Sequence, residues 1–179
     1  MKISEDGTRD EQRRTAIVRA ARECFLRFGY GKTSLDDIAK RANISRPLIY
    51  RKFKNKEEIF VAVFDDLMAG LFPAAEAVVA GRGTKSEKLF GVYEIVLLRP
   101  WAEMSEAPMA AEFYETCSRL FPEVEEKYDK QRARLTQAIV GSKEVAEVFM
   151  LAVDGLQGDL PKTAVLRKRL RVLVDHFVA

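Results

Sequence analysis

Between Thr33 and Lys56 the chain reads TSLDDIAKRANISRPLIYRKFKNK, and three helix starts crowd around one tight turn in this segment. Ser34 followed by Asp37 forms a capping-box pattern, with Asp where Glu or Gln is more usual. Behind it Leu35, Ile38, Ala39 and Ala42 recur at helical spacing and define one apolar face. Asn43 follows, a residue that tolerates the left-handed backbone a sharp stop requires. Ile44 plugs the turn, and Ser45 opens a second helix. Pro47 costs little in its first turn, because the early backbone donors have no helical partner. Ile49 and Phe53, four apart, face inward with Ile38 and Ile44. Arg46, Leu48, Tyr50, Arg51 and Lys52 are left for the outside. Asn55 caps a third helix, with Glu58 at its third helical position. Two short helices across a tight turn, followed at once by another, make a helix-turn-helix.

Charge separates this region from the rest. Residues 1–56 hold 15 Lys/Arg and 7 Asp/Glu, a balance of +8; the totals of 30 and 27 leave 15 and 20 for the remainder, a balance of −5. A net charge of +3 therefore hides a basic head and an acidic body. A compact basic helix pair fits the major groove of double-stranded DNA. The first helix has Thr8 with Glu11 as a capping box, an apolar stripe of Ile17, Ala21, Cys24, Phe25 and Phe28, and Gly29 as its stop. Arg9, Arg13 and Arg14 near its start are either phosphate contacts or a solvated terminus.

From about Thr15 to Phe64 the chain resembles the DNA-binding domain of the tetracycline-repressor-like (TetR) family of bacterial transcriptional regulators. The likeness rests on Phe28-Gly29-Tyr30, Thr33-Ser34, Ile38-Ala39, Ala42, Ile44-Ser45, Leu48-Ile49-Tyr50, Phe53 and Asn55-Lys56-Glu57. Asn43 departs from the Gly usual there, and Pro47 from a Gly or small residue; neither removes a DNA-facing group. The resemblance implies that Thr33 or Ser34 and Tyr50 bond phosphates, with Lys56 adding a charge-assisted contact. Base reading is then expected of Ser45, Arg46, Pro47 and Leu48, with Arg51 and Lys52 nearby. Arg46 suits a guanine edge and Leu48 a thymine methyl.

The remainder has only helical signals, so the expected fold is all-α. It comprises an N-terminal three-helix head, residues 1–56, and a C-terminal helical ligand-binding and dimerisation domain, residues 57–179. Ile59 to Leu71 is a long apolar run, which Pro73 kinks or ends. Thr84 with Glu87 caps a helix after Gly81-Arg82-Gly83, and Pro100 and Pro108 bracket a short segment. Helices follow over Met109 to Leu120, from Pro122 to Gly141 and from Ser142, and a last one carries Leu166, Leu170, Leu173, Val174 and Phe177. The last two helices are amphipathic enough to form a four-helix bundle with a second copy. A homodimer is what one head per chain needs to meet successive major grooves about 34–36 Å apart.

Large, adaptable side chains gather at Phe90, Tyr93, Trp101, Met104, Met109, Phe113, Tyr114 and Cys117. The family resemblance implies a small-molecule effector here, and these groups suit a lipophilic or aromatic one. They are equally the residues of an ordinary helical core. No glycine-rich phosphate loop, nucleophile elbow or metal-ligand spacing is present, which argues against an enzyme, a metal site or a cofactor. One histidine, His176, cannot build a zinc site alone. Cys24 and Cys117, far apart in apolar settings, read as reduced core cysteines of a cytoplasmic protein, and no signal peptide or membrane span is expected. A helical protein-interaction module and a redox-responsive regulator without a small-molecule ligand are the alternatives.

Overall fold

In the computed structural model, helix α1 runs from Ile3 to Phe28 and turns its Ile17, Ala21 and Phe25 face fully inward. The structure describes residues 3–105 and 107–178, the side chains of residues 3–8 and 104–105 excepted. Ten further α-helices follow among these residues, and no strand. They are α2 (Leu35–Ala42), α3 (Arg46–Tyr50), α4 (Lys56–Ala69), α5 (Leu71–Ala80), α6 (Lys85–Tyr93), α7 (Arg99–Ser105), α8 (Ala110–Leu120), α9 (Pro122–Val140), α10 (Lys143–Gly155) and α11 (Thr163–Phe177). One π-helical segment, Glu94–Leu98, lies between α6 and α7. No described helix is long and apolar enough to cross a membrane.

The chain packs as two units. The first is Met1–Leu67 together with Ala107–Pro122. Its core is Ile17, Ala21 and Phe25 from α1, Ile38 from α2, Ile49 from α3, and Ile59, Phe60 and Val63 from α4, all without exposed surface. Phe60 is the hub of its aromatic cluster. Its ring centre lies 5.5 Å from Phe25, 5.2 Å from Tyr30, 4.7 Å from Phe113 and 5.1 Å from Phe121. Aromatic pairs at such spacings contribute about 0.5–1.5 kcal/mol each beyond their area. These contacts carry the packing of the head past the expected limit at residue 56, through α4 to Leu67, and add α8 to it. A charge step marked the limit in the sequence; rings distant in the chain mark it in the packing.

The second unit is Met68–Glu106 with Glu123–Ala179. Its core joins Leu89, Val92 and Tyr93 of α6, Leu98, Phe149 and Val153 of α10, and Leu166, Leu170 and Val174 of α11. Tyr93 meets Phe149 edge-on at 5.2 Å, and its hydroxyl is 2.9 Å from Thr136 Oγ1. Thr84 and Glu87 form the expected capping box of α6, and Ser142 caps α10.

Local chemistry departs from expectation at four places. Helix α1 begins at Ile3, so Thr8 lies within it and not at its cap; the side chain of Thr8 is outside the described residues. Phe28, expected on the buried stripe, is exposed. The α4–α5 break falls at Gly70, ahead of Pro73, which sits in the first turn of α5, where a missing N–H costs nothing. Between α6 and α7 the helix widens to π spacing just before Pro100. A ring there lacks a donor and crowds the carbonyl four residues back, and the wider turn accommodates both.

Candidate nucleic-acid interface

The α2–turn–α3 corner is built by local rules. Ser34 Oγ accepts the Asp37 amide at 3.2 Å, and the Asp37 carboxylate accepts the Ser34 amide at 2.9 Å. Asn43 stops α2 with φ 55° and ψ 47°, in the left-handed region. Its neighbour Ile44 sends its amide back to the Ala39 carbonyl at 3.0 Å. Ser45 flanks the start of α3 in extended backbone without a side-chain cap bond. Ile49 and Phe53 are buried beneath α3. That burial fixes the opposite face outward: Ser45, Arg46, Pro47, Tyr50 and Arg51 are exposed and Leu48 is half-buried. Tyr50 keeps 49% of its surface exposed, unusually much for an aromatic side chain on a packed corner.

Arg46 is held at two points. Its Nη1 donates to Asp36 Oδ2 at 2.9 Å and its Nη2 to the Tyr50 hydroxyl at 3.2 Å. Its guanidinium also lies over the Tyr50 ring, 5.6 Å from the centre. The Tyr50 hydrogen bond and the Asp36 charge raise the Arg46 pKa further. An exposed pair of this kind adds little stability, because water and salt screen it. It does fix the direction of the Arg46 guanidinium on this face.

Besides Arg46, Tyr50 and Ser34, three more of the residues expected to face DNA are engaged within the head. The Thr33 side chain is buried and donates to the Gly29 carbonyl at 2.7 Å, so of the Thr33–Ser34 pair only Ser34 is exposed. Lys52 turns onto α1 and pairs with Asp10; its side chain is only 15% exposed, and the pair holds the Asp10 carboxyl below its usual range. Lys56 donates to the carbonyls of Tyr30 at 2.8 Å and Thr33 at 3.0 Å. An ammonium has three donors, so one remains for an outside acceptor. Arg14 stacks on Phe53 at 5.2 Å, an ordered arrangement at a position read as either phosphate contact or solvated terminus.

Two contacts had no role in the sequence reading. Asp36 was there only a residue of the α2 first turn; its spacing of ten from Arg46 across the turn was the available signal. Glu112 of α8 approaches the α1–α2 turn, where its Oε1 accepts the Gly31 amide at 3.4 Å while its Oε2 is buried without a partner. No local pattern connects residues 81 apart.

The eight residues expected to line an effector site are distributed over both units. Phe113 and Cys117 are buried in the first unit, where Phe113 stacks with Phe64 at 6.1 Å, and Met109 and Tyr114 are half-buried there. In the second unit Tyr93 is buried, Phe90 lies beneath the Arg171 guanidinium at 3.5 Å, and Trp101 donates to the Pro161 carbonyl at 2.9 Å. The Met104 side chain lies outside the described residues. Cys24 and Cys117 are buried and form no disulfide, and burial pushes the Cys24 thiol up. Outward on α10 and α11 lie Val145, Val148, Leu151, Val165 and Val172, with Leu151 72% exposed.

Comparison with known proteins agrees with this geometry. Residues 17–63 match the family described as "Bacterial regulatory proteins, tetR family". The uncharacterized HTH-type transcriptional regulator YhgD of Bacillus subtilis is 45% identical over 56 residues, 31% of this chain and 29% of that protein. The HTH-type transcriptional regulator Mb3439c of Mycobacterium bovis is 26% identical over 181 residues, 93% of this chain and 92% of that one. The structure of SmeT, the repressor of the Stenotrophomonas maltophilia multidrug efflux pump SmeDEF, superposes with a TM-score of 0.70 at 22% identity, covering 92% of this chain and 87% of that one. The first-ranked sequence relatives are matched over about a third of their length, 29% to 38%. Strong identity is thus confined to the head, and the shared fold extends over both units. Residues 17–63 thus carry the tetR-family match, and the described residues share their fold with solved TetR-like regulators.

Proposed function

We propose that this chain is a dimeric repressor that binds a double-stranded DNA operator through α3 and leaves it when a small molecule binds. The observation that carries the DNA-binding reading is the outward face of α3. There Ser45, Arg46, Pro47, Leu48, Tyr50 and Arg51 surround a basic head whose inward residues are buried. Tyr50 offers its hydroxyl proton to a phosphate, Ser34 its own only on release from Asp37, Lys56 its remaining donor, and Arg46 its fork to a guanine edge.

Pairing is the second part of the proposal. The apolar groups Val148 and Leu151 on α10 and Val165 and Val172 on α11 lie away from the buried faces of those helices, and Val145 is exposed at the flank of the α10 buried face. Two such helices from each of two copies form a four-helix bundle, and a two-fold pair presents two heads to successive major grooves. The effector is proposed to be small and lipophilic or aromatic, taken up along the segment from Phe90 to Phe121. Phe113 and Cys117 already serve in packing the first unit and Tyr93 the second, so Phe90 and Trp101 are the better candidates for direct contact. The name of SmeT, a repressor of a multidrug efflux pump, agrees with a repressor of this kind.

The test is binding of labelled duplexes by the purified full chain across a salt series. A DNA-binding regulator loses affinity steeply with salt, in proportion to the phosphates it neutralises. Absence of binding to any duplex at low salt overturns the reading. Compounds that bind the protein and do not weaken its operator complex by about 5–150-fold are not its effector.

A further inference from the structure

We infer that Asp36 is a positioning residue for DNA specificity: it restrains and neutralises Arg46 so that this cation reads bases and does not serve as a free phosphate contact. The inference rests on the DNA-binding reading above and adds to it a residue outside α3. Asp36 stands in the first turn of α2, and its Oδ2 accepts from Arg46 Nη1 at 2.9 Å. It makes no cap bond; Asp37 performs that task with Ser34. Tyr50 supplies the second restraint through its hydroxyl and its ring. The cation is thus tethered from both helices of the motif while its side chain remains about half exposed.

Donor counting makes the arrangement productive. A guanidinium has five N–H donors, and Asp36 and Tyr50 engage two of them. Three are left, and a guanine edge needs two, for O6 and N7. Base contact therefore does not require the pair to break. A phosphate behaves differently. It carries a full negative charge, sits beside the Asp36 carboxylate in any contact with Arg46, and pays like-charge repulsion that a neutral base edge does not. On random DNA, where phosphates supply nearly all the attraction, Arg46 is thereby withheld. On the right sequence its orientation is already set before binding.

The experiment compares wild type with Asp36→Asn, Asp36→Glu, Arg46→Ala and the double variant Asp36→Asn/Arg46→Ala. Each is titrated as the full chain against a duplex selected from a random pool and against a random duplex, across salt. Asp36→Asn is expected to raise random-duplex affinity and to reduce the selected-to-random ratio by about fivefold or more. Its salt slope on random DNA is expected to steepen by about 0.9, the signature of one more phosphate neutralised. Asp36→Glu, which keeps the charge, restores most of the ratio. In the Arg46→Ala background Asp36→Asn is expected to change neither ratio nor slope. An unchanged ratio and slope in Asp36→Asn, or the same change with Arg46 absent, overturns the inference. If the wild type binds no duplex, the DNA-binding reading itself fails, and that result is distinct from both. A merely structural role for Asp36 would change the unfolding midpoint and leave the salt slope untouched.

Discussion

The Lys56 ammonium lies 4.2 Å from the centre of the Tyr30 ring and donates to the Tyr30 carbonyl at 2.8 Å, so the first residue of α4 ties down the turn between α1 and α2. A second donor reaches Thr33 in the same turn. Lys56 therefore sets the position of the corner, in addition to its proposed contact with DNA. Lys56→Ala is expected to destabilise the protein by roughly 1–3 kcal/mol, because two partly buried carbonyls lose their donor. Denaturant unfolding measures this. The same variant is expected to lose affinity for selected and random duplexes by one factor; a stability equal to wild type would contradict the tie.

Arg46→Ala separates base reading from backbone contact. Its expected cost is about 1–3 kcal/mol at one base pair of the operator, with a smaller loss on random DNA. Titration against an operator substituted one base pair at a time identifies the position. Equal losses on all sequences would place Arg46 on a phosphate.

Gly29 has φ +86°, and a Cβ built there overlaps Glu112 Oε2. Gly29→Ala therefore meets backbone strain and a clash together, for an expected loss of roughly 1–3 kcal/mol. Adding Glu112→Ala removes the carboxylate overlap and leaves the strain and the Met109 Cε contact at 2.9 Å, so the double variant is expected to cost less than the sum of the singles. Strict additivity in unfolding free energies would show that the carboxylate does not press on this turn.

Two tyrosines give an alkaline limit. Burial, with the Glu57 carboxylate accepting its proton, raises the Tyr30 phenol to about 12. Burial raises Tyr93 likewise to about 12, against a small opposing effect of its Thr136 bond. In the unfolded chain both ionise near 10. Between those values the folded form holds more protons, so its stability falls as pH rises from about 10 to about 12 and is unaffected below. For the buried Tyr93 the loss is roughly 2–3 kcal/mol; Tyr30, partly solvated, contributes less. Unfolding curves at stepped pH measure it, and Tyr93→Phe is expected to flatten most of the slope. An unaltered slope in that variant would assign the alkaline loss elsewhere.

Leu151 is the most exposed apolar side chain on α10, beside Val148. Leu151→Glu is expected to leave helical content unchanged, to give a monomer in sedimentation velocity, and to weaken operator binding by about a hundredfold or more as two linked heads become independent. A dimer of wild-type affinity would move the proposed pairing surface away from this face.

What could be read from the sequence was local. Ser34 with Asp37, the left-handed Asn43, Pro47 in a first turn and the buried Ile49–Phe53 spacing all operate within a few residues of chain, where propensity and periodicity apply. What could not be read was remote. Thr33 bonds the Gly29 carbonyl instead of facing out, Lys52 finds Asp10 on α1, and Asp36 meets Arg46 from the other helix. A charge on an exposed face has the same residue type whether it waits for a phosphate or already has a partner. The aromatic segment had a similar ambiguity. Phe113 is expected in a pocket and is packed on Phe60, because a ring suits a core and a lipophilic ligand equally. The split at residue 56 followed a change of charge, which a hydrophobic cluster joining α4 to α8 does not respect.

The most direct measurement is selection of bound duplexes from a random pool by the full chain at fixed salt, followed by sequencing. The account predicts enrichment of one two-fold symmetric site with half-sites centred about 10–10.5 base pairs apart or a multiple of that. It also predicts that Arg46→Ala relaxes one symmetric pair of positions in it. A selected pool indistinguishable from the starting one would contradict the claim that α3 of this chain reads DNA.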